Sequence, residues 1–168
     1  MKKNIIQSIL ALTLFALPLW AENPVAQDGP KFSLKVKHGG ADRAQVMLMK
    51  GGTGVFVNTG KEVFGPVMIL TPDRKLTSPD PSIIMLQLGK DGQILDGNGQ
   101  PVKLAGGKNL TIKKDGSIVG FEKPILWVKG KLQAVPGLPK GTTIEITPAD
   151  SEYKWVASMM VIAPLAAK

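Results

Sequence analysis

Apolar and polar residues alternate along most of the chain after residue 30, and turn-forming residues interrupt the alternation about every eight to twelve positions. In the segment Lys31–Lys37, Phe32, Leu34 and Val36 share one face, and the residues between them share the other. A period of two is typical of half-buried strands. The sequence shows no amphipathic helical pattern after its N-terminal segment, so it predicts an all-β fold.

The predicted strands are Lys31–Lys37, Ala44–Lys50, Val55–Val57, Val63–Leu70, Ser82–Leu88, Gln100–Leu104, Asn109–Lys113, Ser117–Phe121, Ile125–Lys129, Thr142–Thr147 and Tyr153–Ile162. Gly65-Pro66 predicts that Val63–Leu70 is an edge strand or contains a bulge, because proline cannot donate to a strand ladder. Tyr153–Ile162 is apolar on both faces, which predicts a central or covered strand. Thr71–Pro81 carries three prolines and is predicted to be a loop. About ten short strands predict an antiparallel β-sandwich or a partly open barrel.

Two octets, LGKDGQIL from Leu88 and IKKDGSIV from Ile112, repeat one arrangement of an apolar residue, lysine, Asp-Gly and two aliphatic residues. Asp-Gly supplies the positive φ angle that tight hairpin turns require, so we interpret both octets as hairpin turns. An imperfect third copy is predicted at residues 140–144. Two copies and a fragment do not make a solenoid, which needs at least three sustained repeats.

The N-terminal segment has the features of a secretory signal peptide. Lys2 and Lys3 precede an apolar run, Ile9–Leu17, which is followed by Pro18 and Ala21. We therefore predict a cleaved signal peptide at residues 1–21, an extended N-terminal arm at residues 22–30 and a single β-domain at residues 31–168. This predicts a periplasmic or extracellular protein of a bacterium with no membrane span in its mature chain.

Composition narrows the chemistry further. The chain has no cysteine, which excludes disulfides and thiolate metal sites. Its formal net charge is +8 at pH 7. Much of the excess lies between residues 101 and 131, where the acidic residues are Asp115 and Glu122 and the lysines are Lys103, Lys108, Lys113, Lys114, Lys123, Lys129 and Lys131. A basic excess of this kind favours anionic partners or a solvated surface.

Four residues within or beside this lysine-rich segment form the predicted binding site: Lys113, Trp127, Lys129 and Lys131. If residues 125–129 form a strand, Trp127 shares a face with Lys129 and Lys131, while Leu126 and Val128 point inward. Lysines beside an outward tryptophan are suited to an anionic polymer such as a glycan or lipopolysaccharide. Nucleic acid is not expected, because the chain is predicted to be exported and is poor in aromatic residues.

The candidates for other chemistry are weak. Met47 and Met49 place two thioethers on one strand face, and His38 could add a nitrogen, so these three residues are the candidate copper(I) ligands. Methionine is also an ordinary core filler. Ser151-x-x-Lys154 matches a nucleophile motif, but its companion motifs are missing. The sequence therefore predicts no metal, no cofactor and no catalytic set.

The sequence favours an exported, non-catalytic structural or assembly protein of the bacterial periplasm or cell surface, such as a filament or envelope-complex subunit. Its expected partners are other protein subunits, including further copies of itself joined by strand addition through the N-terminal arm. The alternative is a binding module for an anionic envelope polymer or glycan that uses the lysine-rich face.

Overall fold

The structure is a computed structural model that describes residues 30–49, 53–103 and 108–166. The predicted signal peptide and nearly all of the predicted arm lie outside these residues. Pro30, the last residue of the predicted arm, is the first residue of a strand. The boundaries predicted for the leader and the arm therefore remain predictions.

The described residues are mostly β, which confirms the predicted class at this level. The strands are β1 Pro30–His38, β2 Ala41–Met49, β3 Gly54–Asn58, β4 Val63–Leu70, β5 Lys75–Thr77, β6 Ile84–Leu88, β7 Ile94–Leu95, β8 Thr111–Ile112, β9 Ile118–Val119, β10 Trp127–Val128, β11 Lys131–Leu132 and β12 Thr142–Thr147. One helix, α1 Lys154–Ala166, follows them in the described part of the chain.

Ten of the strands form one antiparallel sheet in the order β10-β11-β12-β1-β2-β3-β4-β5-β6-β7, and β8 pairs with β9 in a second, two-stranded sheet. Single bridges connect the two sheets. Gln93 pairs with Thr111 beside β7, and Ile118 of β9 pairs with Ile125 just before β10. The small sheet is thus hydrogen-bonded to both ends of the large one.

The longest strands set the position of the core. Phe32 of β1 lies opposite Leu48 of β2, and Leu34 lies between Val46 of β2 and Ile146 of β12. All five of these side chains are buried. This is the face that the period of two predicted, and burial of each such side chain stabilises the fold by about 1.5–3 kcal/mol.

Strand β4 confirms the prediction made from Gly65-Pro66. The β3–β4 register shifts between Val55 and Val57, which marks an irregularity opposite this dipeptide. On its other side, β4 pairs with β5 only through Ile69 and Leu70. Within the described ranges, no strand pairs with that side of residues 63–68, so most of β4 is also an edge.

The prediction of a strand at Tyr153–Ile162 is wrong, because this segment lies in α1 and the turn before it. Every residue from Val156 to Ala163 is buried, including Val156, Ser158 and Ile162, which have no exposed surface. A helix that is apolar on all sides belongs in a core and lacks the polar stripe that reveals an amphipathic helix. In the part of the chain that the structure describes, no helix is long and apolar enough to cross a membrane.

The N-terminal end of α1 is fixed by contacts with two parts of the sheet. The Tyr153 ring stacks on Phe32 of β1 with centroids 5.9 Å apart, and the Lys31 ammonium lies 5.6 Å from the centre of the same ring. The Arg74 guanidinium lies 6.0 Å from the centre of the Trp155 ring. These contacts join the helix to β1 and to the turn before β5.

Two further strand assignments change. The predicted loop Thr71–Pro81 contains β5, which pairs with both β4 and β6. The predicted strand Gln100–Leu104 is reduced, among its described residues, to single bridges at Pro101 and Lys103. Both segments contain proline, which restricts pairing but does not prevent short ladders on either side.

The Asp-Gly octets are turns, as predicted. Four five-residue turns share one hydrogen-bond pattern. The N–H of the first residue donates to the C=O of the fifth residue, and the N–H of the fourth residue donates to the C=O of the first. They span residues 71–75, 89–93, 96–100 and 113–117. The fourth residue has a positive φ in each, and it is Arg74, Gly92, Gly99 and Gly116 in turn. The predicted third copy at residues 140–144 does not have this pattern.

Candidate functional site

The hairpin β10–β11 overturns the predicted orientation of Trp127. Trp127 lies opposite Leu132, and Val128 lies opposite Lys131. Residues opposite one another share a face, so Lys131 projects with Val128 and not with Trp127. Val128 is 49% exposed, whereas Leu132 is buried. Trp127 therefore faces the core, and the prediction that Leu126 and Val128 point inward is wrong.

A buried hydroxyl explains why Trp127 turns inward. Its indole N–H donates to Ser158 Oγ of α1 over 2.9 Å, and the Ser158 hydroxyl donates to the Gly116 carbonyl over 2.6 Å. An indole N–H that leaves water needs such a partner. The chain of bonds holds β10, α1 and the turn 113–117 together, and it withdraws the tryptophan from the predicted binding surface.

Lys129 lies in a turn and not in the predicted strand. Lys129 and Gly130 form the two-residue connection of the hairpin, and both have a positive φ, 49° and 77°. Two positive φ angles are the mark of a type I′ hairpin turn. The side chain of Lys129 is exposed at the tip of the hairpin.

Lys131 forms an ion pair within the sheet. Its Nζ lies 3.2 Å from Glu145 Oε1, and Lys37 Nζ lies 3.6 Å from Glu145 Oε2. The hydrogen bond and charge of Lys131, together with the charge of Lys37, hold the pKa of Glu145 below its usual range. Part of the positive charge predicted for this face is thus balanced by Glu145.

Lys113 and Lys129 lie at the same end of the sheet. Lys113 is the first residue of the turn 113–117, and the bonds through Ser158 place this turn beside Trp127, two residues before Lys129. Both lysines are exposed, and neither forms an ion pair with a described residue. The structure therefore brings three of the four predicted residues to one end and turns the fourth inward.

Sequence analysis missed the most exposed apolar residues of this end. Leu126 and Val128 are 41% and 49% exposed on the outer face of the hairpin. Next to them, a surface groove of about 610 Å³ is lined by Phe121, Glu122, Lys123, Pro124, Ile125, Gln133, Ala134 and Pro136. Polar residues at positions 126 and 128 would have revealed the inverted alternation, but leucine and valine are residue types that usually lie in a core.

The candidate copper ligands are not brought together as far as the structure describes them. Met47 lies opposite Ser33 and His38 opposite Ala41, on opposite faces of β1. Five strand residues, about 16 Å, separate these two positions. His38 Nδ1 lies 3.4 Å from the Thr142 hydroxyl. The side chain of Met49 lies outside the described residues, and no described group of three acidic or histidine residues could hold a metal ion.

Ser151 and Lys154, which match the nucleophile motif, serve the start of α1. Ser151 is buried, and its hydroxyl oxygen accepts the Tyr153 N–H over 3.2 Å. A serine in this position satisfies a backbone donor in the turn that precedes the helix. This local role accounts for Ser151 without any chemistry.

The described carboxylates with lowered pKa values serve turns and the sheet. Hydrogen bonds from the Ser117 hydroxyl and N–H, 2.6 and 2.9 Å long, hold the pKa of Asp115 below its usual range. Lys75 and Thr71 lower the pKa of Asp73, and Ser82 lowers that of Asp80. A carboxylate held in this way stabilises a turn.

Acid should therefore destabilise the protein. A carboxyl group whose pKa is lower in the folded state contributes stability that is complete above its unfolded pKa and is lost as the pH falls through the folded value. We expect the free energy of unfolding, measured with urea, to be nearly constant from about pH 5 to pH 8 and to decrease below about pH 4.

Asp115→Asn tests one of these carboxylates, because it removes the charge that Ser117 stabilises. This variant should lose stability at pH 7 and show a weaker decrease in acid. Asp91→Asn is the matched control, since Asp91 occupies the same position of its turn and accepts no hydrogen bond from a described residue. Equal pH profiles for wild type and Asp115→Asn would contradict the assignment.

Comparisons with known proteins give no relatives: no family model, no curated protein and no solved structure matches this chain.

Proposed function

We propose that the protein is an exported, non-catalytic structural or assembly protein of the bacterial periplasm or cell surface, such as a filament or envelope-complex subunit. The observation that carries this proposal is the edge of β4 between residues 63 and 68, which no described strand covers. An uncovered strand edge offers backbone groups to an added strand. Pro66 has no backbone N–H to donate, so an added strand would form its hydrogen bonds mainly with Val67 and with residues 63–65.

The same edge supports a finer description of the fold. We infer a partly open barrel in which the strands surround α1. The bridges at Gln93–Thr111 and Ile118–Ile125 continue the ladder from β7 through β8 and β9 to β10, and α1 is buried on all sides. The opening along β4 is then the place where a further strand completes the wall.

The proposed donor of that strand is residues 22–29 of the predicted arm, supplied by another copy. Size-exclusion chromatography with light scattering and negative-stain microscopy of the purified protein should show oligomers that grow with concentration. A chain lacking residues 22–29 should be monomeric. Val63→Lys should also be monomeric, because a charge at an exposed edge position opposes strand addition.

Ile83→Lys is the matched control for Val63→Lys. The two side chains are 55% and 54% exposed, but Ile83 is not in β4. Ile83→Lys should assemble like the wild type. A wild-type protein that is monomeric at every concentration, or assembly that survives removal of residues 22–29, would reject the proposal.

The alternative role, binding of an anionic polymer or glycan, remains a prediction for the lysine-rich end of the sheet. The polymer would have to be held by Lys113, Lys129 and Lys131 without a ring to stack on, because Trp127 is bonded to Ser158. No observation favours it over assembly.

A further inference from the structure

The outer face of β10 exposes two aliphatic side chains on a rigid backbone. Large exposed apolar side chains in the described residues are Val63, Ile83, Leu126 and Val128, and the last two are neighbours on one face. The Ile118 and Ile125 backbones exchange two hydrogen bonds of 2.9 Å, and the Gln133 N–H donates to the Leu126 carbonyl over 2.9 Å. Strands on both sides thus hold Leu126 and Val128 in exposed positions.

The apolar surface continues past Leu126 into the groove lined by residues 121–125 and by Gln133, Ala134 and Pro136. The apolar residues that line the groove are Phe121, Pro124, Ile125, Ala134 and Pro136. A single exposed leucine is ordinary on a protein surface, but a contiguous apolar patch marks a contact surface. The groove, Leu126 and Val128 together form such a patch, which we call the hairpin patch.

Lysines border the hairpin patch at its other end. Lys129 occupies the tip of the hairpin and Lys131 lies opposite Val128. The antiparallel bridge between Ile118 and Ile125 places the turn that contains Lys113 and Lys114 beside the same end of β10. From Ile125 to Val128 the extended backbone advances about 10 Å, and Lys129 follows in the turn. The hairpin patch is therefore apolar at one end and cationic at the other.

Two acidic groups near this end are engaged, whereas Glu122 of the groove is exposed and forms no ion pair with a described residue. Asp115 accepts two bonds from Ser117, and Glu145 lies between Lys131 and Lys37. Asp150 is exposed and follows Ala149, which is close to Gly130 of the hairpin. Lys113, Lys114 and Lys129 form no ion pair with a described residue, so positive charge remains available at the border of the patch.

We propose that the hairpin patch docks on an anionic lipid bilayer, with Leu126 and Val128 inserted among the acyl chains and Lys113, Lys114 and Lys129 against the lipid phosphates. Exposed aliphatic residues next to lysines are the combination that peripheral membrane binding requires, because apolar burial and attraction to anionic headgroups add. A soluble polyanion would use the lysines but gain nothing from Leu126 and Val128. This docking goes beyond assembly through β4 and uses a different surface.

Co-sedimentation with lipid vesicles tests the docking. The protein is isolated from its expression host, its mass is determined, and it is mixed with vesicles of phosphatidylglycerol and phosphatidylcholine or of phosphatidylcholine alone. We expect binding to the anionic vesicles that decreases with salt. Leu126→Gln with Val128→Thr should weaken it about tenfold. Lys113→Gln and Lys129→Gln should each weaken it about fivefold at low salt.

Matched controls separate the hairpin patch from general effects. Ile83→Gln removes a similarly exposed aliphatic group that lies outside both the hairpin patch and β4, and Lys90→Gln removes an exposed lysine from another turn. These variants should bind like the wild type. Circular dichroism checks that every variant remains folded.

Three results would overturn the proposal. The first is equal binding to anionic and neutral vesicles, or none to either. The second is binding that depends on the lysines but not on Leu126 and Val128, which would indicate a surface for soluble polyanions. The third is a dimer that Leu126→Gln with Val128→Thr dissociates, without vesicle binding, which would show that a second copy covers the patch. None of these results depends on whether β4 mediates assembly.

Discussion

Gly116→Ala should destabilise the protein by about 3 kcal/mol or more, as measured by urea unfolding. Gly116 has a φ of 82°, where a side chain is strained. A methyl group there would also lie 2.5 Å from Lys154 Cβ and 2.8 Å from the Lys154 carbonyl carbon. The backbone of α1 cannot yield as a flexible side chain can, so the turn or the helix must shift. The Gly116 carbonyl also accepts the Ser158 bond, which this shift would weaken.

Gly99→Ala tests the cost of backbone strain without the steric overlap that a methyl group would cause at Gly116. Gly99 has the same position in its turn and a φ of 77°, but the nearest atom to an added methyl group is Gln87 Nε2, at 3.4 Å. This variant should cost only about 1 kcal/mol, the strain of the left-handed conformation. Arg74 shows that a side chain is accommodated at the same turn position. If the two glycine variants lost equal stability, contact between the turn and α1 would not be what requires Gly116.

The strands could be predicted because their signal is local. In β1 and β12 the apolar residues recur at every second position, so the residue types carry the period directly. In the turns, glycine at a positive φ marks the place where the chain reverses. Arg74 occupies the same position without glycine, so the turn before β5 has no such mark and the segment was predicted to be a loop.

The helix could not be predicted from periodicity, because its environment is apolar on every side. Burial from Val156 to Ala163 removes the polar stripe, and Val156, Val161 and Ile162 are residues that strands also favour. The length of the predicted strand, from Tyr153 to Ile162, exceeds that of most strands and favours a helix. A long, uniformly apolar tract predicts that a segment is buried, but it does not predict whether the segment is a helix or a strand.

The predicted binding site was right about which lysines are exposed and wrong about the side of the sheet that Trp127 occupies. Alternation fixes relative faces but not which face is inside. The face that Trp127 occupies depends on Ser158, which is 31 positions away in sequence and accepts the hydrogen bond of the indole N–H. The same orientation exposes Leu126 and Val128, which alternation alone assigned to the core.

Ser158→Ala should cost about 2–4 kcal/mol, because it leaves two groups without a partner. Ser158 is 0% exposed, and its hydroxyl bonds both the Trp127 indole and the Gly116 carbonyl. Removal of one partner from a buried hydrogen bond costs the desolvation of the group that remains. Equilibrium urea unfolding followed by circular dichroism measures the loss.

A double-mutant cycle with Trp127→Phe assigns the part of this cost that belongs to the indole. Phenylalanine keeps most of the ring and removes the N–H, so no unpaired donor remains when Ser158 is replaced. Ser158→Ala should then cost at least about 1 kcal/mol less than in the wild type, and the remainder belongs to the Gly116 carbonyl. An unchanged cost would mean that the 2.9 Å bond contributes nothing to the inward orientation of Trp127. A cost that falls to zero would assign the whole effect to the indole.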